Sequence, residues 1–313
     1  MLRRIAGSLY WAARYLERAQ WRARLVDVNY NLLLEVPPRD TAPWEPLLQI
    51  TAEQGQFGTL HNQVTESSVI EFFAFEKQNP SSIRSCIESV RSNLSPLRHL
   101  ISSELWVAVN RLYLEIPGWS AQALASTGVA SFFADLQRDF YTIAGIIENT
   151  MPRDLAYDLI EIGAMLERTD NVSRMLDVKY HYLLPRLEDI GGPADMRQWA
   201  AVLRSASAFE AFRKIYGNAI RVNRVVEILV FDRAFPRSMR FCIERLAQAL
   251  ARIGEGEEHP ASETSPCTDL LSLLRNGSAE LTIAGGLHEF LIGIESMCAR
   301  LSDQLFDRYL SLE

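Results

Sequence analysis

Residues 15–34 have the sequence YLERAQWRARLVDVNYNLLL, and residues 165–184 repeat its pattern as MLERTDNVSRMLDVKYHYLL. When the two segments are superimposed without gaps, they are identical at nine of twenty positions. Four of those nine positions carry charged side chains, which vary readily when they face only water. A repeat of this kind predicts an internal duplication with a polar role at corresponding places in both copies.

A second pair of similar segments follows in the same order. Residues 69–90 (VIEFFAFEKQNPSSIRSCIESV) and 225–246 (VVEILVFDRAFPRSMRFCIERL) are identical at nine of twenty-two positions, including a proline and a cysteine. Two collinear blocks make coincidence between unrelated helices a poor explanation. We therefore predict two helical repeats, residues 1–150 and 151–313, which are related by a pseudo-twofold axis and packed as one globular body.

The apolar residues of the chain recur at intervals of three and four, which is the period of an α-helix. Ile5, Leu9 and Ala12 begin one such series near the amino terminus. The pattern predicts an all-α bundle with about seven helices per half. Clusters of turn-forming and acidic residues predict loops near 185–195 and 254–266. The expected helices cover residues 3–35, 44–54, 56–64, 67–78, 81–100, 102–116 and 129–150, then 152–184, 195–208, 209–217, 220–233, 236–254, 267–276 and 279–312.

The composition argues against a nucleic-acid or membrane partner. The 313 residues carry a net charge of −7, whereas phosphate-backbone binding requires a basic face. No apolar run reaches the length of about eighteen residues that a membrane span needs. The four cysteines form no C-x-x-C pair, and no secretion signal is recognised. We therefore expect a protein of the reducing cytoplasm.

The charged residues of the repeat cluster near the packing side of the two long helices. On a helical wheel, Arg24 and Asp27 lie close to Glu17, and the second copy adds an acid at Asp170. The arginine that follows each repeat glutamate points away from this group. Because burying a lone charge is costly, the clustered side chains must be paired, hydrogen-bonded or facing a wet cavity. The candidate site residues are Glu17, Arg18, Arg24, Asp27, Glu167, Arg168, Asp170, Arg174 and Asp177.

Three roles for these residues are compatible with the sequence. The first is a structural network in which each repeat glutamate meets an arginine of the other long helix. The second is a central polar groove, where Arg24 and Arg174 would hold a carboxylate or phosphate group. The third is a catalytic acid/base pair drawn from the acidic members of the set.

No other motif specifies a cofactor or a metal. The five histidines, among them His288, have no ligand spacing, and the Glu-x-x-His pattern of di-iron bundles is absent. Neither of the two glycine-rich nucleotide-binding patterns occurs, and Gly285 and Gly286 stand in a helical stretch. We therefore expect no metal and no cofactor.

The residues around the two Glu-Arg pairs match a known family pattern. The first copy supplies Tyr15, Leu16, Glu17, Arg18, Ala19, Arg24, Leu25 and Asp27. The second copy supplies Leu166, Glu167, Arg168, Asp170, Arg174, Leu176, Asp177, Lys179 and Tyr180. Further similarity covers Leu9–Trp11, Asn79–Ile83, Ser102–Trp106 and Asn110. Over nearly the whole chain, these residues resemble the bacterial alpha-E family, which is named for a recurrent Glu-Arg motif. Ala164 stands in place of Arg14, so any role of Arg14 is not doubled.

The resemblance implies a place in a peptide- or amide-forming modification system. Alpha-E proteins are encoded beside, or fused to, circularly permuted ATP-grasp proteins and transglutaminase-like cysteine proteases. We therefore expect an accessory protein that binds an ATP-grasp partner, or that presents a peptide-like or charged small-molecule ligand to it. The alternative is an enzyme that uses paired carboxylates and arginines in a central polar groove for acid/base chemistry on a charged substrate.

Overall fold

The computed structural model describes residues 3–35, 43–120, 124, 128–181, 191–254 and 266–310, and all regular secondary structure within these ranges is helical. The predicted all-α class is confirmed. The chain divides into two compact units, Met1–Ala164 and Met165–Leu310. Most of the two predicted loops, and the predicted end of the helix at 182–184, lie outside the described residues. Among the described helices, none combines the length and the apolar character that a membrane span requires.

The first unit is built around its longest helix. Its helices are α1 (Arg3–Glu35), α2 (Glu45–Thr51), α3 (Gln54–Leu60), α4 (Glu66–Ala74), α5 (Ile83–Leu94), α6 (Ser103–Glu115) and α7 (Val129–Thr150), followed by the start of α8 (Leu155–His181). Helix α1 has the predicted bounds and packs along α5 and α7. Leu9, Ala19, Ala23 and Val26 are fully buried on α1, and the small alanines let neighbouring helices approach closely.

A glycine in α8 allows the closest of these approaches. A Cβ atom at Gly163 would lie 2.4 Å from the carbonyl oxygen of Tyr10 and 3.2 Å from Cβ of Ala13. Real side chains do not tolerate the first distance, so only glycine fits without moving one helix backbone. The start of α8 is thereby held against α1 within the first unit.

Helix α5 is shorter than predicted at both ends. It begins at Ile83 because the Ser82 hydroxyl accepts a hydrogen bond from the Ser85 amide at 3.1 Å, which marks Ser82 as the N-cap. The predicted start at residue 81 was therefore wrong. The predicted continuation to residue 100 is also wrong, since a 3₁₀ turn over Ser95–Leu97 follows the helix. Pro96 has no amide hydrogen to continue an α-helical ladder.

The second unit contains the remainder of α8 and six further helices. They are α9 (Pro193–Ser205), α10 (Phe209–Tyr216), α11 (Val222–Val226), α12 (Met239–Gly254), α13 (Pro266–Asn276) and α14 (Ala279–Leu305). A π-helical turn, Glu227–Phe231, continues α11, and a second one, Phe306–Leu310, continues α14. Val225, Val226, Ile228, Leu229 and Val230 are all fully buried in the core of this unit.

Several predicted helices of the second half begin later than expected or are interrupted. Helix α8 begins at Leu155, after Pro152, and the Asp154 carboxylate accepts hydrogen bonds from the first amides. Helix α12 begins at Met239 and not at residue 236, because the Ser238 hydroxyl accepts from the Phe241 amide at 3.0 Å. The predicted helix 279–312 is interrupted at Gly286, whose φ of 106° and ψ of 97° are not helical.

Candidate functional site

The glutamates of the Glu-Arg pairs in the two repeat segments are buried. Glu17 is 5% exposed and Glu167 is 2% exposed, while Arg24 on the same helix as Glu17 is 2% exposed. Side chains enclosed to this degree do not meet a diffusing ligand unless the helices move. Their burial is typical of charges that fix how helices pack.

The arginines that follow these glutamates lie closer to the surface. Arg18 is partly exposed, and its guanidinium carbon lies 5.7 Å from the centre of the Tyr15 ring. Arg168 is also partly exposed, and its Nη1 donates to the carbonyl oxygen of Pro236 at 3.1 Å. Each Glu-Arg pair therefore divides into an enclosed glutamate and an outward arginine, as the helical wheel predicts.

In the first unit, α1 and α7 bring five polar side chains together, which we call the Asp27 cluster. The carboxylate of Asp27 accepts a hydrogen bond from Gln137 Nε2 at 3.0 Å and another from Asn31 Nδ2 at 2.9 Å. Nearby, Arg24 Nη2 donates to the Tyr141 hydroxyl at 2.9 Å. Asp27 and Arg24 of the first repeat segment are thus each hydrogen-bonded to a residue of α7.

The Asp27 cluster opens on a shallow depression of about 480 Å³. The depression is lined by Asp27, Ala134, Gln137, Arg138, Tyr141 and Thr142. Burial raises the pKa of Asp27, and the hydrogen bonds from Gln137 and Asn31 and the charge of Arg24 only partly oppose that rise. A carboxyl group with a raised pKa at the edge of an open depression can exchange a proton or accept a hydrogen bond from a ligand.

In the second unit, α8 and α14 form a corresponding arrangement, the Asp177 cluster. It consists of Asp170, Arg174, Asp177, His288 and Glu295. Arg174 binds Asp170 through two nitrogens, Nε at 2.8 Å and Nη2 at 3.1 Å, and its Nη1 lies 3.5 Å from Glu295 Oε2. Asp177 Oδ1 lies 2.5 Å from Nδ1 of His288. The two-pronged geometry fixes the guanidinium plane of Arg174 more firmly than a single contact would.

The ionisable groups of the Asp177 cluster shift one another's pKa values. The hydrogen bond that the His288 ring donates to the Asp177 carboxylate raises the pKa of His288, and the charges of Glu289 and Glu295 add to this effect. Burial raises the pKa of Glu295, although the charge of Arg174 opposes it. Burial disfavours the charged form of Arg174, but Asp170 and the neighbouring carboxylates outweigh it, so its pKa is raised.

Five residues of these clusters are not predicted from the sequence. Asn31 stands four residues after Asp27 on α1. Gln137 and Tyr141 stand four residues apart on α7, and His288 and Glu295 stand seven apart on α14, so each pair shares one helix face. That spacing was the available signal. This spacing does not identify the partners by itself, because the last sixty or so residues of the two halves show no traceable correspondence. The sequence also gives His288 no metal-ligand spacing.

The two clusters offer hydrogen-bonding and acid/base groups, and they do not form a metal centre. Within the described ranges, no group of three or more His, Cys, Asp or Glu side chains is arranged to hold a metal ion. The part-exposed carboxylates, the Tyr141 hydroxyl and the His288 ring can each hydrogen-bond an amide, a hydroxyl or a charged group. Either cluster could therefore orient a peptide-like ligand.

Comparison with known proteins places the chain in one family. A family model described as "a predicted alpha-helical domain with a conserved ER motif" matches residues 1–310. An uncharacterised protein of Mycobacterium tuberculosis (strain ATCC 25618 / H37Rv) and one of Mycobacterium bovis (strain ATCC BAA-935 / AF2122/97) are each 22% identical over 334 residues.

These alignments cover 99% of this chain but only 37% of each relative, so the chain spans little more than a third of the length of the curated relatives it matches. No solved structure matches the chain. Both repeat segments contain a Glu-Arg pair, Glu17–Arg18 and Glu167–Arg168, of the kind that the family description names. The chain belongs to the Alpha-E family.

Proposed function

We propose that the chain is an accessory helical protein of a peptide- or amide-modification system, which binds an ATP-grasp partner or presents its peptide-like substrate. One observation carries this proposal: Glu17 and Glu167, the acids of the Glu-Arg pairs in the two repeat segments, are at most 5% exposed. An enclosed acid is suited to fixing helix register, whereas an acid that serves a substrate has to reach it.

The part-exposed clusters supply the surface that this role requires. Asp27 presents a carboxylate beside the Tyr141 hydroxyl, and Asp177 presents one beside His288. Such groups recognise the amides and charged ends of a peptide through directional hydrogen bonds. A peptide-like or charged small-molecule ligand fits this chemistry better than an apolar one does.

The lengths of the relatives are consistent with a domain that works beside another protein. More than half of each matched relative lies outside the aligned region. In those relatives the helical domain is joined to other sequence beside which it can act. This supports the accessory role without identifying the partner's reaction.

Co-expression tests the proposal directly. The full chain is produced with a circularly permuted ATP-grasp protein as the candidate partner, and the mixture is passed over a size-exclusion column at micromolar concentration. Co-elution is expected, and D27N or D177N should weaken it if the clusters bind the partner. Separate elution at that concentration, with both proteins folded, would contradict the proposal.

A catalytic role is the second candidate, and the Asp27 cluster favours it. Its carboxyl group has a pKa raised by burial and lines an open depression. Such groups are the usual acids and bases of active sites. If D27N left ATP-grasp binding and melting temperature intact but abolished modification of the peptide substrate, the catalytic role would replace the accessory one.

We also propose that the chain arose by duplication and that its halves are related by a pseudo-twofold axis. Equivalent residues support this. Ser82 caps α5 and Ser238 caps α12. Two residues after each cap stands an arginine that pairs with the glutamate four residues further on, at 3.2 Å for Arg84 and 3.4 Å for Arg240. An experimental structure in which the two repeat segments are not related by a rotation near a half turn would contradict the pseudo-twofold relation.

A cytoplasmic location is part of the same proposal. Cell fractionation tests the location.

A further inference from the structure

A second polar surface lies in the first unit, between the end of α5 and α6. It is an open depression of about 790 Å³. The residues that matter for its chemistry are Glu88, Arg91, Ser92, Ser95, Arg98 and Tyr113. None of them belongs to the Asp27 or Asp177 cluster, so this surface is independent of the proposed function.

Arg91 is held in one orientation by neutral neighbours. Its guanidinium carbon lies 4.3 Å from the centre of the Tyr113 ring and 5.8 Å from that of Trp106. Its Nε donates to Asn110 Oδ1 at 2.9 Å. Stacking and this hydrogen bond fix the guanidinium plane while leaving its two terminal nitrogens available.

Arg98 is held in the same way. Its guanidinium carbon lies 4.7 Å from the centre of the Trp106 ring, and its Nε donates to the carbonyl oxygen of Ser95 at 3.1 Å. Both arginines thus contact one aromatic ring, and both use Nε to bind a neutral acceptor. Within the residues that the structure describes, neither has a carboxylate partner within 4.0 Å.

Arg22 in the same unit shows how an arginine with a structural role is paired with a carboxylate. Arg22 is buried and lies 2.7 Å from the Glu53 carboxylate, so its charge is compensated inside the protein. The one acid lining the depression, Glu88, is 42% exposed and already lies 3.2 Å from Arg84 Nε. The positive charge of Arg91 and Arg98 is therefore directed to the depression in a protein whose net charge is −7.

We infer that this depression binds an oxyanion, namely the phosphate or carboxylate group of a small ligand or peptide. The terminal nitrogens of each guanidinium form a fork that matches two oxygens of such a group, and the hydroxyls of Ser92 and Ser95 add donors that line the same depression. Trp106 and Tyr113 keep the arginines in place before the anion arrives, so little side-chain order is lost on binding.

Anion titration followed by NMR tests this inference on the full chain. Inorganic phosphate and acetate are added separately at constant ionic strength, and the amide signals of residues 88–98 and 106–113 are monitored. Saturable shifts are expected in the millimolar range. Stronger binding of phosphate identifies a phosphate group as the natural ligand, and comparable binding of acetate identifies a carboxylate.

Three variants make the result specific. R91Q/R98Q should weaken anion binding by about tenfold or more, since both charge-assisted contacts are lost. Because that double variant also removes stacking contacts, S92D serves as a second test: it adds a negative charge at an exposed position and should abolish binding without disturbing the stacks. R111Q, at an exposed arginine of α6 outside the depression, should bind as the wild type does. Absence of shifts with both anions, or equal binding by S92D and wild type, would overturn the inference.

Discussion

Asp177 and His288 join α8 to α14 inside the second unit, with Oδ1 of the aspartate 2.5 Å from Nδ1 of the histidine. The histidine side chain is 28% exposed and the aspartate side chain 14%. A contact of this kind between distant parts of the sequence binds the kinked helix α14 to the repeat helix. It also makes the strength of that link depend on pH.

The raised pKa of His288 gives the pH dependence a definite sign. A histidine whose folded pKa lies above its unfolded value stabilises the protein below the unfolded value of about 6.5, and this contribution is lost as pH rises through the folded pKa. H288Q should therefore lower the free energy of unfolding more near pH 6 than near pH 9. Urea unfolding at both values measures the difference, which solvent screening keeps modest.

The exposed residue His99 provides the control for this comparison. H99Q should change stability by a similar small amount at both pH values. If H288Q and H99Q responded to pH alike, the ion pair with Asp177 would have no role in stability.

The enclosed acids of the family motif should be more important for stability than any exposed acid. E17Q and E167Q each remove a charge from a buried polar environment and leave its neighbours uncompensated, at a cost of about 2–4 kcal/mol. E35Q, at the exposed end of the same helix as Glu17, should change stability by less than about 0.5 kcal/mol. Chemical denaturation of the three variants gives the comparison.

Removing the charge of Asp27 should have the opposite effect on stability to removing that of Glu17, although both residues belong to the same repeat segment. Burial raises its pKa, so its charged form is the unfavourable one in the folded protein. Between the unfolded and folded pKa values the folded state holds more protons, and stability therefore falls as pH rises through that window. D27N removes this penalty, so its stability relative to the wild type should be greater at pH 7 than at pH 4. A constant difference between the two pH values would contradict a raised pKa.

The sequence predicted the long repeat helices better than the helix ends. Helix α1 has the predicted bounds because a continuous apolar series defines it over its whole length. The predicted starts of α5 and α12, at residues 81 and 236, are too early, because Ser82 and Ser238 are the caps. The break at Gly286 could not be distinguished from an ordinary helical glycine without its backbone angles.

The sequence predicts only one residue of each hydrogen-bonded pair in the two clusters. Asp27 and Asp177 were recognised from the repeat, since their positions recur with the same neighbours. Their partners Gln137 and His288 lie 110 and 111 residues further along the chain, on helices without a shared sequence pattern. Such partners depend on which helix packs beside α1 or α8, and amphipathic periodicity does not specify the neighbour of a helix.

The contact of Gly163 with α1 gives the most local test of the first unit. In G163A, the new methyl group would meet the Tyr10 carbonyl oxygen at 2.4 Å, so one backbone has to shift, and the cost should be about 1–3 kcal/mol. Gly145 provides the matched control, because it is an exposed residue in the middle of α7 and a Cβ there meets nothing within 4 Å. G145A should instead stabilise the protein by about 0.5–1 kcal/mol, since alanine favours the helical backbone. Thermal and urea unfolding of both variants should thus give changes of opposite sign, and equal effects would mean that α8 does not approach α1 as closely as Gly163 permits.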